Sequence, residues 1–84
     1  MTLDQLELGK TAKIVSLGLE GPERRRLMDL GMTPGTLIAA SLQSPLRDPT
    51  AYTVRGALIA LRDKQAAQIE IEPVTMTEGV SILP

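Results

Sequence analysis

The stretch Leu27-Met28-Asp29-Leu30-Gly31-Met32-Thr33-Pro34-Gly35-Thr36 carries the signals of a helix end, a tight turn and a strand start in immediate succession. A helix is predicted over residues 22–30, since proline suits the first helical position and the leucines at 27 and 30 share a face. Gly31 can adopt the left-handed conformation that ends a helix, and Met32 can then pack back on Leu27.

The residues on both sides of this helix predict short strands. Thr33-Pro34-Gly35-Thr36 has the residue order of a type II turn, after which a strand begins. A run rich in β-branched residues precedes the helix, and the last strand alternates polar and apolar residues up to Pro73. The predicted strands are 10–17, 36–42, 51–55, 58–62 and 68–72, with a tight connection at Gly56, a surface loop over 43–50, and a helical turn at 63–67 capped by Asp63.

These elements predict a mainly β fold. Five short strands with tight turns are typical of a small antiparallel barrel, closed or nearly closed, with one short helix between strands 1 and 2 and a helical turn before the last strand. The 84 residues allow one domain, predicted over 1–73. The tail 74–84 has no clear pattern: Val80 and Ile82 could pair with a sheet edge, or the tail could be loose.

Composition excludes several classes of protein. The chain has no cysteine and no histidine, so disulfides and thiolate or imidazole metal sites are excluded, and a reducing cytoplasm is the expected location. Its longest apolar run is 57–61, too short for membrane insertion, and no signal peptide is visible. Nine basic and ten acidic residues leave no excess positive charge for non-specific binding of nucleic acid or anionic lipid.

No enzyme or cofactor site is expected. The usual general bases and strong nucleophiles are missing, no phosphate-binding glycine loop is present, and no catalytic residue is assigned. Glu70 and Glu72 are expected on a solvated strand face, and Met28 and Met32 are expected to be packing residues rather than metal ligands. A carboxylate cluster formed between two copies could still bind a divalent ion weakly.

Arg24-Arg25-Arg26 is the one basic run. Successive helical residues point about 100° apart, so the three arginines do not form one stripe. A solvated surface with local pairing to Glu23 and Asp29 is one interpretation, and docking to an acidic partner is another. Nucleic-acid binding is disfavoured because small barrels bind single strands through stacked aromatic residues, and Tyr52 is the only aromatic residue.

Two segments together resemble signatures of the ferrous-iron transport protein A (FeoA) family. The first is Arg26-Leu27-Met28-Asp29-Leu30-Gly31-Met32-Thr33-Pro34-Gly35, and the second runs from Asp48-Pro49-Thr50-Ala51-Tyr52-Thr53-Val54-Arg55-Gly56 to Ile59-Ala60-Leu61-Arg62. The resemblance covers about residues 3–72. It implies an SH3-like barrel and a partner, the membrane ferrous-iron transporter FeoB with its cytoplasmic GTP-binding domain. The chain departs from the family pattern at Arg47, usually glycine, and at Ala57, often tyrosine.

The resemblance and the missing chemistry together predict a non-catalytic cytoplasmic accessory protein that binds and modulates FeoB. An alternative is a stand-alone SH3-like regulatory module of the type appended to metal-dependent transcription repressors. Self-association through exposed strand edges, giving a homodimer, is a third hypothesis. Leu27 and Met28 are equally candidates for the core, and the core is the favoured interpretation for both. The predicted partner-binding residues are Arg24, Arg25, Leu27, Met28, Met32 and Tyr52.

Overall fold

The computed structural model describes residues 1–46 and 48–74. A short 3₁₀ turn at Leu3–Gln5 precedes the main elements. The predictions for Val80 and Ile82 lie outside the described residues. The elements are β1 Thr11–Leu17, α1 Gly21–Asp29, β2 Leu37–Gln43, β3 Thr50–Val54, β4 Ala57–Leu61, α2 Asp63–Ala66 and β5 Ile69–Pro73.

The five strands form one antiparallel sheet in the order β4-β3-β2-β1-β5, which confirms the predicted mainly β fold. β1 pairs with β2 on one side and with β5 on the other. Irregularities in register occur between Ile14 and Ser16 on β1 and between Ala40 and Leu42 on β2. Such bulges bend a strand and increase its twist, which curves the sheet around its core.

The inward-facing residues of all five strands form one apolar core. Period-two alternation places every second side chain on this face, so short strands still contribute two or more core residues each. Leu3 from the 3₁₀ turn and Leu27 from α1 close the core and are fully buried. The buried strand residues are Ala12, Ile14, Leu17, Ile38, Ala40, Thr50, Tyr52, Val54, Ile59, Leu61, Ile69 and Ile71.

The end of α1 has the predicted geometry. Gly31 has φ 102°, the left-handed conformation, and donates its N–H to the Met28 carbonyl at 3.0 Å. The Met32 N–H reaches back to the Leu27 carbonyl at 3.0 Å, and the Met32 side chain is fully buried. These two bonds are the Schellman motif. Leu30, predicted to share a face with Leu27, is 39% exposed, and it is the C-cap rather than a residue of the helix.

The turn before β2 has its predicted type, and the predicted tight connection at Gly56 is a hairpin turn. Thr36 donates to the Thr33 carbonyl at 3.0 Å across Gly35, whose φ is 92°, as a type II turn requires. The β3–β4 connection is two residues, Arg55 and Gly56, both with positive φ, which is the type I′ hairpin turn.

The start of α2 differs from the prediction. Asp63 does not cap this helix but is its first residue, after the N-cap Arg62. The Asp63 backbone N–H is directed to the Asp48 carboxylate, 3.0 Å away. The helical turn is therefore tied to the loop between β2 and β3.

Gly18 sits where β1 leaves the sheet and approaches the residue before β5. Its N–H donates to the Gln68 carbonyl oxygen at 2.6 Å. A Cβ atom at position 18 would lie 2.8 Å from that same backbone oxygen, closer than real Cβ contacts allow. Both sides of this contact are backbone, so the Cβ atom could be accommodated only if the end of β1 or the start of β5 moved.

Tyr52 is the largest fully buried side chain, 2% exposed on β3. Its hydroxyl lies 3.5 Å from the Leu3 carbonyl oxygen, which it can reach as a donor. Burial raises the pKa of the phenol above its usual value because the charged phenolate is poorly solvated there. Asp63 and Asp4 raise this pKa further, while the hydrogen bond with Thr50 opposes the shift.

We predict that Gly18→Ala destabilises the fold by about 1–3 kcal/mol, the usual cost of forcing extra atoms into a packed contact. Chemical denaturation measures the free energy of unfolding. Ser16→Ala, at an exposed position on the same strand, is the control and should change stability by less than about 0.5 kcal/mol. Equal effects of the two substitutions would contradict a close approach at Gly18.

We predict a stability loss at high pH that depends on Tyr52. Because the folded-state pKa is raised, the native protein holds the phenol proton more tightly than the unfolded chain does. The stabilisation from the buried Tyr52 phenol is therefore fully present below about pH 10, which is the pKa of tyrosine in the unfolded chain. It declines as the pH rises through the folded-state pKa. The free energy of unfolding should fall more steeply with pH than that of Tyr52→Phe, which has no phenol to titrate at this position. Parallel pH profiles for the two chains would refute the assignment.

Candidate functional site

The outward face of α1 carries the predicted partner-binding residues that the structure leaves accessible. Arg24, Arg25 and Met28 line the same shallow depression beside the helix, together with Pro22 and Asp29. Residues three and four apart lie on neighbouring positions of a helix surface, which brings this set together. Arg24 and Arg25 are exposed, whereas Met28 is half-buried and packs against the core. The face therefore has an apolar centre beside two guanidinium groups.

The arginines of α1 are not neutralised by ion pairs within residues 1–46 and 48–74. The ion pairs there join the Met1 amino group to Glu70, Lys13 to Glu72, and Arg62 to Asp48. Glu23 accepts a hydrogen bond from the Gln65 side-chain amide at 2.6 Å, which links α1 to α2. The local pairing of the arginine run with Glu23 and Asp29 is thus not observed in this part of the chain.

The end of α1 meets the β3–β4 turn through Arg55. The Arg55 side chain runs over Gly31, where a Cβ atom would lie 2.9 Å from the arginine Cδ. Its guanidinium donates to the Thr36 hydroxyl at 3.3 Å, and that hydroxyl lies 2.8 Å from the Thr33 hydroxyl. The helix-to-turn segment and the Val54-Arg55-Gly56 segment are therefore joined in space.

Three of the six predicted partner-binding residues lie in the core, which corrects that part of the prediction. Leu27 and Met32 are fully buried, and Tyr52 is 2% exposed. Leu27 faces the sheet because the capping motif fixes the rotation of α1, and Met32 follows it inward. Tyr52 is on an inward position of β3, opposite Ile59 on β4. Their side chains pack in the core and are not accessible to a partner.

Arg55 is the residue that sequence reasoning missed. The sequence places Arg55 only at the end of a predicted strand. It nevertheless stands in the second of the two segments on which the family resemblance rests. An arginine immediately before a glycine, at the end of a strand, was the available signal for a turn with positive φ. Its contact with Gly31 joins segments far apart in the chain, so no local pattern contains it.

The carboxylates of Glu70 and Glu72 each lie close to a cationic group of the same chain. Glu70 contacts the Met1 amino group at 2.7 Å, and Glu72 lies 4.0 Å from Lys13. In the described part of the chain, no three histidine, cysteine, aspartate or glutamate residues are grouped in a way that could hold a metal ion. None of the described helices has the length and apolar character needed to cross a bilayer.

Comparison with known proteins finds a match to the FeoA domain over residues 1–73. A Porphyromonas gingivalis protein, the Fe(2+) transport protein A/Fe(2+) transporter FeoB fusion protein, is 35% identical over 75 residues. The match covers 89% of this chain and 9% of the fusion protein, so the chain spans under a tenth of that relative's length.

Solved structures share the fold. The solution structure of FeoA from Chlorobium tepidum is 32% identical, with a TM-score of 0.86 over 100% of this chain and 80% of that one. The zinc complex of Stenotrophomonas maltophilia FeoA, described as a prokaryotic SH3 domain protein, is 28% identical, with a TM-score of 0.73 over 86% and 89% of the two chains. A manganese-dependent transcriptional repressor has a TM-score of 0.75 over 88% and 41% of the chains, and at 13% identity it shows the fold alone.

The sheet topology agrees with these comparisons. One five-stranded antiparallel sheet with two short helices is the SH3-like architecture of the FeoA structures. The family match extends over nearly all of the described residues and includes both segments joined by Arg55. The chain therefore belongs to the FeoA family.

Proposed function

We propose that this protein binds the ferrous-iron transporter FeoB at the cytoplasmic face of the membrane and modulates iron uptake without catalysis of its own. The observation that carries the proposal is the P. gingivalis fusion protein, in which an FeoA-like segment and FeoB share one polypeptide. Fusion holds two domains at high effective concentration, which favours pairs that bind each other. A docking surface on this chain would supply the contact between the two domains.

The α1 face has the composition of such a surface. Arginine and methionine are enriched at protein interfaces relative to the rest of protein surfaces. Met28 offers an adaptable apolar contact at the centre, and its flexible thioether side chain can repack against different partner groups. Arg24 and Arg25 can each form two parallel hydrogen bonds to one carboxylate, which suits an acidic segment of the partner.

Arg55 supports this surface from its end. By covering Gly31 and bonding to Thr36, it holds the last turn of α1 against the β3–β4 hairpin. The helix is also held at its beginning by the Glu23–Gln65 bond to α2. A helix fixed at both ends loses less conformational freedom on binding, so more of the contact free energy is available for affinity.

We predict that Arg24→Ala and Arg25→Ala each weaken binding to full-length FeoB by about tenfold, a typical loss at an arginine contact. Binding is measured with purified full-length transporter in detergent or nanodiscs, with and without guanine nucleotide. Nucleotide dependence would locate the contact to the GTP-binding domain.

Arg26→Ala is the matched control, since it removes the same charge from the same helix outside the depression lined by Arg24 and Arg25. It should leave the affinity within about twofold, because a charged side chain at the periphery of an interface contributes little to the binding free energy. An equal loss with Arg26→Ala would show that total charge matters rather than this face. Absence of binding in every nucleotide state would refute the FeoB proposal and favour the regulatory-module hypothesis.

A further inference from the structure

The free edge of β4 differs from the other edge of the sheet. β4 and β5 are the two outermost strands in the order β4-β3-β2-β1-β5. The β5 edge carries Glu70, Glu72 and Pro73, features that discourage pairing with another strand. The N-terminal residues also cover it: Ile71 donates to the Met1 carbonyl at 2.8 Å, and Thr2 forms an antiparallel bridge with Glu70.

The β4 edge has none of this protection. Its sequence Ala57-Leu58-Ile59-Ala60-Leu61 contains no charge and no proline. In a hairpin with a two-residue turn, the two residues that flank the turn exchange both of their backbone N–H···O=C hydrogen bonds. Every second pair along the two strands does the same. Val54 pairs with Ala57 in this way, so the N–H and C=O groups of Leu58 and Ala60 point away from β3. No described residue pairs with that edge.

The outer face beside this edge is uncharged. None of β2, β3 or β4 contains a lysine, arginine, aspartate or glutamate. Leu58 is 57% exposed and lies in a row with Thr53 and Ala39 across the three strands. Ala60 lies in the next row with Ala51 and Leu42, whose side chain is 60% exposed.

We propose that β4 pairs antiparallel with β4 of a second copy of this chain, forming a two-fold symmetric dimer with one continuous sheet. With Ile59 opposite Ile59 of the other copy, each Leu58 exchanges both backbone hydrogen bonds with an Ala60. This register uses all four outward-pointing backbone groups of each edge. It also joins the row that contains Leu58 to the partner's row that contains Ala60, so that the apolar outer faces become continuous.

The edge itself favours a second copy as the occupant. Its two outward-pointing residues, Leu58 and Ala60, pair with each other across the two-fold axis, and β4 of neither copy brings a charge to the contact. Antiparallel pairing of an edge with itself is self-complementary, as an isologous interface requires. The inference is independent of FeoB binding, because the α1 face is not part of the edge.

The test is sedimentation or light scattering of the full-length protein over a range of concentrations. We expect a concentration-dependent dimer. Ala60→Pro removes one outward N–H that the monomer does not use, and proline is tolerated at such edge positions, so the monomer should fold normally. Ala60→Pro and Leu58→Lys should each raise the dimer dissociation constant by at least about tenfold, since each breaks the new cross-strand pairing.

Leu37→Lys is the matched control, because Leu37 is 50% exposed on the same outer face but lies on β2, away from the edge. It should leave the dissociation constant within about threefold, since distant surface changes have small effects. Circular dichroism of each variant confirms that the monomer is folded. A full-length protein that is monomeric at every concentration overturns the proposal, as does a dimer that responds equally to Leu37→Lys or ignores both edge variants.

Disulfide trapping tests the register, because the natural sequence has no cysteine. Leu58→Cys and Ala60→Cys chains are mixed and oxidised together. The proposed register places these two positions directly opposite each other, so the disulfide between different variants should form faster than either disulfide between identical chains. Preferential cross-linking of identical chains would overturn this register.

Discussion

Leu27 is held in two ways at once, and the remainder of the structure depends on this arrangement. Its side chain is fully buried against the sheet, and its carbonyl oxygen accepts the Met32 N–H one residue beyond Gly31. The first contact fixes which side of α1 faces the core. The second reverses the chain so that Met32 also enters the core and β2 can begin a few residues later. Only a residue that tolerates a φ of 102° allows this reversal.

The rotation of α1 set by Leu27 determines the exposed surface. With Leu27 inward, Arg24 and Arg25 face solvent beside the half-buried Met28. A side chain can serve as a partner contact only if the monomer does not need it for its own core. In the part of the chain that the structure describes, the core uses most of the large apolar side chains, which leaves charged groups around a partly exposed apolar one on the outward face of α1.

Arg55 connects the two surfaces considered for binding. It covers the end of α1 through Gly31 and Thr36, and it also begins the turn that leads into β4. The basic face of α1 and the uncharged edge of β4 are chemically distinct and belong to different elements. A change in the β3–β4 turn would nevertheless reach both, because the same side chain contributes to the position of each.

The sequence alone determined the element order, the type II turn before β2 and the helix end, because each depends on residues close together in the chain. Gly31, Pro34, Gly35 and Gly56 mark backbone conformations that few other residues adopt, so their positions predict local geometry directly. The absence of histidine and cysteine likewise removed whole classes of chemistry before any fold was known.

Only the tertiary structure decided which side chains are available for binding. Met32 is buried and Leu30 is 39% exposed, although both are large apolar residues on either side of Gly31. The role of Arg55 and the difference between the β4 and β5 edges arise from contacts between segments distant in sequence. Burial is a property of how elements pack, and local periodicity restricts it without fixing it.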